Sequence, residues 1–115
     1  MRILVHIATG PENPTRVALG LLVARTALGA GHDVDVFVAG DGVDVLRDET
    51  RGLINGIGTG SAAEHWQALR DGGARLLASG MSSKARGITG VDGVELAPPE
   101  VLVQLIADAD RVVSY

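Results

Sequence analysis

Two kinds of group able to hold an anion crowd into Ser79-Gly80-Met81-Ser82-Ser83-Lys84-Ala85-Arg86-Gly87: hydroxyls and cations. Lys84 and Arg86 would carry the charge. Ser79, Ser82 and the main-chain N–H groups around Gly80, at a helix start, would complete a cradle. A serine nucleophile is a weaker reading. It needs a positioned base, and the stretch has neither Gly-x-Ser-x-Gly nor Ser-x-x-Lys spacing. The plain alternative is a capped strand-to-helix turn whose two cations are solvated.

Other candidates sit at neighbouring turns. Asn13 caps a helix beginning at Pro14, and with Glu12 and Thr15 it belongs to a turn that a ligand at the same end of the fold could touch. His65, one turn after Ser61, points towards that end too, although a lone helical histidine is commonly a surface or interface residue. His6 reads as structural and His32 as part of a solvated turn. The three histidines share no ligand-like spacing with carboxylates, so no metal site is expected. Gly56-Ile57-Gly58-Thr59-Gly60 lacks the spacing of a dinucleotide loop and follows no first strand, so it reads as a mobile, glycine-rich lid or, almost equally, as a plain loop, and no cofactor is expected. The chain contains no cysteine. Disulfides, zinc–thiolate sites and a cysteine nucleophile from this chain are therefore excluded.

Elements that place these groups follow from composition and periodicity. A chain of 115 residues, 46% hydrophobic and 21% charged, is long enough for one domain with its own core. Aromatics are only 3%, so that core must be built from Val, Leu, Ile and Ala. A net charge of −4 leaves no basic face for phosphates, so no nucleic-acid partner is expected. No apolar run approaches the roughly 18 residues of a spanning helix, and the N-terminus lacks a signal-peptide pattern; no membrane partner and a cytoplasmic location are expected.

In order, the pattern predicts a strand over Arg2–Ile7 and a helix from Pro14 to about Ala30, ended by Gly31. That helix is apolar on more than one face, from Val17, Leu21, Ala24 and Leu28 to Ala18 and Leu22, as expected if part of it packs on another subunit. A second strand covers Asp33–Val38, followed by the Ala39-Gly40-Asp41-Gly42 turn and a short helical piece over Val43–Arg47. From Asp48 to Gly60 periodicity fails and a flexible loop is predicted. Ser61 to Glu64 has capping-box spacing and opens a helix with Ala62, Trp66 and Leu69 inward. A buried strand over Ala74–Ala78 precedes the nine-residue stretch; Val94–Leu96, a helix from Pro98-Pro99, and Arg111–Ser114 complete the chain. Strands alternating with helices require parallel, right-handed crossovers. In such sheets ligands lie beyond the carboxyl ends of the strands, where Ser79–Gly87 begins.

Gly10-Pro11-Glu12-Asn13-Pro14-Thr15 after the first strand, Ala39-Gly40-Asp41-Gly42 after the second, and the third-strand loop closing on Ala85-Arg86-Gly87 resemble the DsrE/DsrF-like family of small sulfur-relay proteins across essentially the whole chain. Relatives often carry Cys-Gly-x-Cys-x-x-Ala-Arg-Gly in that loop; Ser79 and Ser82 stand where the cysteines would be. The resemblance implies a three-layer α/β/α sandwich around a five-stranded parallel sheet, trimers or hexamers, and a site near the third-strand loop at subunit boundaries. Sulfur-relay members hold a persulfide on a cysteine there. A serine hydroxyl cannot accept a sulfane sulfur. The expectation is thus a non-catalytic oligomeric binding protein for a small anion or a partner segment at Ser79, Gly80, Ser82, Lys84, Arg86, Asn13, Thr15 and His65. The alternative is an accessory subunit of a sulfur-transfer complex whose cysteine comes from another chain.

Overall fold

The β-branched run Arg2–Ile7 forms strand β1 in the computed structural model, which describes residues 1–115. Asn13 ends the turn that follows. Its Oδ1 accepts from Arg16 N at 3.2 Å, and Pro14 supplies the first helical residue of α1 (Pro14–Gly29). Gly31 takes φ +91° just past the helix and turns the chain into β2 (Asp33–Val38).

A 3-10 segment follows over Gly40–Leu46, then α2 (Asp48–Leu53) and a hairpin of β3 (Asn55–Gly56) and β4 (Gly60–Ser61). Helix α3 (Ala62–Asp71) leads to β5 (Arg75–Ser79), the six-residue α4 (Gly80–Ala85), β6 (Val94–Ala97), α5 (Pro99–Asp108) and β7 (Arg111–Ser114).

Five strands pair in the order β6-β5-β2-β1-β7, all parallel, so each connection crosses over the sheet. Register sorts the side chains. Val5 pairs with Val36, and Val36 with Leu76; these face α1 and α3, whose Val17, Leu21, Ala24, Trp66 and Leu69 close the larger core. Phe37 pairs with Leu77 and points to the opposite face, where Leu4, Ala97 and Leu105 of α5 join it in a smaller core. The strands are near-continuously apolar because both faces are covered, as parallel sheets require. Each fully buried aliphatic or aromatic side chain contributes about 1.5–3 kcal/mol. No helix is long and apolar enough to cross a membrane.

Two expectations are corrected. Asp48–Gly60 is not an irregular loop: its acidic first residues start α2, and two-residue strands pair Asn55 with Ser61 and Gly56 with Gly60. Strands this short leave no hydrophobic period to read. The 3-10 segment starts three residues before the expected Val43, because Gly40 adopts φ +54° at the turn. Gly80–Ala85 is helical, as a capped strand-to-helix turn requires, with Ser79 as its cap.

Candidate functional site

Three turns meet at the carboxyl rim of the sheet, following β1, β2 and β5. They approach main chain to main chain. A Cβ at Gly10 would lie 2.2 Å from Asp41 O, and one at Gly42 would lie 2.3 Å from Ile7 O. Only glycine permits that closeness. Glu12 folds back so that its carboxylate accepts from Gly10 N at 2.6 and 3.1 Å, which fixes the first turn.

The serines of the third turn are occupied. Ser79 Oγ accepts from Ser82 N at 3.1 Å, the N-cap of α4. Ser82 Oγ accepts from Gly40 N at 3.0 Å, tying α4 to the second turn. Arg86 Nη2 lies 2.7 Å from Asp41 Oδ1 and its Nε 3.8 Å from Asp44 Oδ1, while Nη1 donates to Ser82 O. Arg47 donates to Arg86 O and sits 3.9 Å from Asp44. Asp41, Asp44 and Arg47 thus clamp the third turn, a role sequence reasoning missed. Its only sequence trace is their place in and after the Ala39–Gly42 turn. Lys84 forms no ion pair, and Met81 beside it is 72% exposed.

Thr15 and His65 meet elsewhere, around the hairpin. Ile57 N donates to Thr15 Oγ1 at 3.1 Å, and Thr59 Oγ1 donates to Thr15 O at 3.2 Å. His65 is buried, with Nε2 2.8 Å from Thr59 O and Nδ1 3.3 Å from Arg25 Nη1. A carbonyl only accepts and a guanidinium only donates, so Nε2–H faces Thr59 O and Nδ1 accepts from Arg25. Ser79, Gly80, Ser82, Lys84 and Arg86 therefore form one group on and beside α4. Thr15 and His65 form a second group, and Asn13 is engaged as the cap of α1.

The rim is a surface rather than a chamber. Concavities lie elsewhere, among them a polar cleft of about 350 Å³ by Arg2, Asp35 and Arg75, and an apolar groove of about 470 Å³ along α1, lined by Ile3, Leu22, Val23, Ala27 and Ala30. In the first, Arg2 Nε lies 3.1 Å from Asp35; next to it, Arg75 pairs with Glu95 at 2.6 Å.

His6, near the rim on β1, packs its ring edge-on to Phe37, and its buried Nε2 has no partner. Burial holds its pKa below the usual 6.5. An unfolded chain therefore binds the proton more readily, and stability is complete above about pH 6.5 and falls as pH drops through the folded-state value. The hydrogen bond to Arg75 likewise lowers the Glu95 pKa below 4.5, a second loss confined to more acidic solution. Urea midpoints measured from pH 8 to pH 5 should fall, and His6→Leu should flatten that part of the curve. An unchanged slope in the variant would assign the loss to another group.

Comparison with known proteins agrees with this architecture. The model of the DsrE/DsrF-like family matches residues 1–115. An uncharacterized protein of Methanopyrus kandleri, MK0008, is 31% identical over 121 residues, covering 98% of this chain and 93% of that protein. The crystal structure of the ychN protein from E. coli superposes with a TM-score of 0.81 over the whole of both chains at 22% identity, a likeness of fold. This cysteine-less chain, with serines at the turn after β5, belongs to the DsrE/DsrF-like family.

Proposed function

We propose that this chain is a non-catalytic, self-associating binding protein whose α4 rim receives a segment of a partner protein. One observation carries the reading: of the side chains that would seize a small anion, Ser79, Ser82 and Arg86 are already engaged, and Lys84 alone is left unpaired. Ser79 and Ser82 accept from main-chain N–H groups, and Asp41 and Asp44 answer Arg86. What α4 presents outward is Met81, flexible and polarizable, with Lys84 nearby. Such a pair suits a protein surface of mixed apolar and acidic character. The apolar groove on α1 supports self-association, in the trimer or hexamer that family resemblance implies.

Isothermal titration with sulfate, phosphate and nucleotides tests the choice of ligand. The expected result is no binding tighter than millimolar. Micromolar uptake of any of them, abolished by Lys84→Ala, would replace the partner segment with a free anion.

A second reading has its own observation. Ser79 and Ser82 occupy the frame of the family's cysteines on a turn that is intact, so this chain would serve as an accessory wall in a sulfur-transfer complex while a partner supplies the thiol. Co-expression with a cysteine-bearing relative should then give a stable complex with an altered sulfur-transfer rate. Failure to bind, with the rate unchanged, rejects it.

A further inference from the structure

We propose that Asn55–Ser61 is a hinged strap, closed over the start of α1 by Thr15 and His65, which opens as a unit without unfolding the sheet and bares those two side chains. The inference goes beyond the reading above and does not depend on what the rim binds.

Both ends of the strap are pinned. Ile54 and Ala62 are buried, and Ala62 N donates to Ile54 O at 3.0 Å, closing the base. Between these anchors almost nothing apolar is buried. Ile57 at the tip is 89% exposed, and the ladder consists of two residue pairs. Gly58 and Gly60 hold φ of +72° and +82°, a shape set by glycine rather than by packing.

The closed position rests on three polar contacts. Thr15 accepts from Ile57 N and, through its carbonyl, from Thr59 Oγ1; His65 Nε2–H donates to Thr59 O. Fit allows no other side chain beneath the strap: a Cβ at Gly56 would meet Ala18 Cβ at 3.0 Å, and one at Gly60 would meet His65 Nε2 at 3.0 Å. Three such hydrogen bonds are together far weaker than the interactions that hold the whole domain folded. Local opening is therefore the cheapest excursion available to the strap. Once open, it frees one acceptor, Thr15 Oγ1, and one donor, His65 Nε2–H, with Arg25 beside them.

Native-state hydrogen exchange of the full chain, followed by NMR in rising sub-denaturing urea, tests this. The Ile57 amide should exchange through an opening nearly independent of urea, while the Ala62 and Val36 amides follow the steep slope of global unfolding. Thr15→Val, which removes one acceptor from the closed state, should speed Ile57 exchange about fivefold while its weak dependence on urea stays as it was. Ile57 exchanging along the same slope as Val36, or Thr15→Val leaving the Ile57 rate unmoved, would overturn the proposal.

Discussion

Trp66→Ala should lower the unfolding free energy by about 3–5 kcal/mol, the usual cost of emptying a buried aromatic site. Trp66 is 1% exposed and is the largest fully buried side chain, set among α1, α3 and the sheet in the larger core. Its loss also removes the ring beneath Arg51, whose guanidinium lies 5.5 Å from the ring centroid. Arg51 in turn donates to Val45 O at 2.8 Å and bonds Asp48 at 2.7 Å, so α2 and the 3-10 segment loosen with it. That segment carries Asp41 and Asp44, and damage in the core should reach the rim through them. Urea denaturation followed by circular dichroism gives the number. A loss below about 1.5 kcal/mol, the range of a well-tolerated core swap, would mean that α3 is not seated as described.

Gly42→Ala should be among the most damaging single-methyl additions, at about 3 kcal/mol or somewhat more. The added Cβ would lie 2.3 Å from Ile7 O, 3.1 Å from Ile7 C and 3.3 Å from Thr9 O, all main-chain atoms that cannot rotate away. Relief requires the turns after β1 and β2 to part. Gly40 and Asp41 then shift, and Ser82 and Arg86 lose the partners that fasten α4. The comparison is Gly29→Ala at the end of α1, where a Cβ meets nothing within 4 Å. There the gain in helix propensity should leave stability unchanged or raise it by about 0.5–1 kcal/mol. Equal effects at the two glycines in thermal or urea unfolding would show that the turns are not in close contact.

Much of the fold is written locally. Apolar runs at Arg2–Ile7 and Asp33–Val38, the Asn13-Pro14 start and the Ser61–Glu64 spacing each announce an element through contacts a few residues apart. The hairpin was illegible for the opposite reason. Two-residue strands have no period, and Asn55–Ser61 is held by Thr15 and His65, of which the first is more than 40 residues distant in sequence.

The candidate site divides in the same way. That Ser79, Ser82, Lys84 and Arg86 lie at the carboxyl end of a central strand could be read from the sequence. That Arg86 is neutralised could not, because its partners Asp41 and Asp44 belong to a different turn, brought close by Gly10 and Gly42. A cation counted as free in one dimension is paired in three, and this moves the reading from an anion cradle towards a protein-docking rim. His65 shows the same effect: spacing placed it at the rim, whereas both ring nitrogens are engaged within the chain.

Native mass spectrometry of the full chain, purified gently from its own host, tests the proposed function most directly. The account predicts a homo-oligomer that carries the added mass of a co-purified polypeptide, and predicts that Met81→Glu sheds that mass while the oligomer persists. An empty monomer, or an oligomer whose bound polypeptide is unaffected by Met81→Glu, would contradict it.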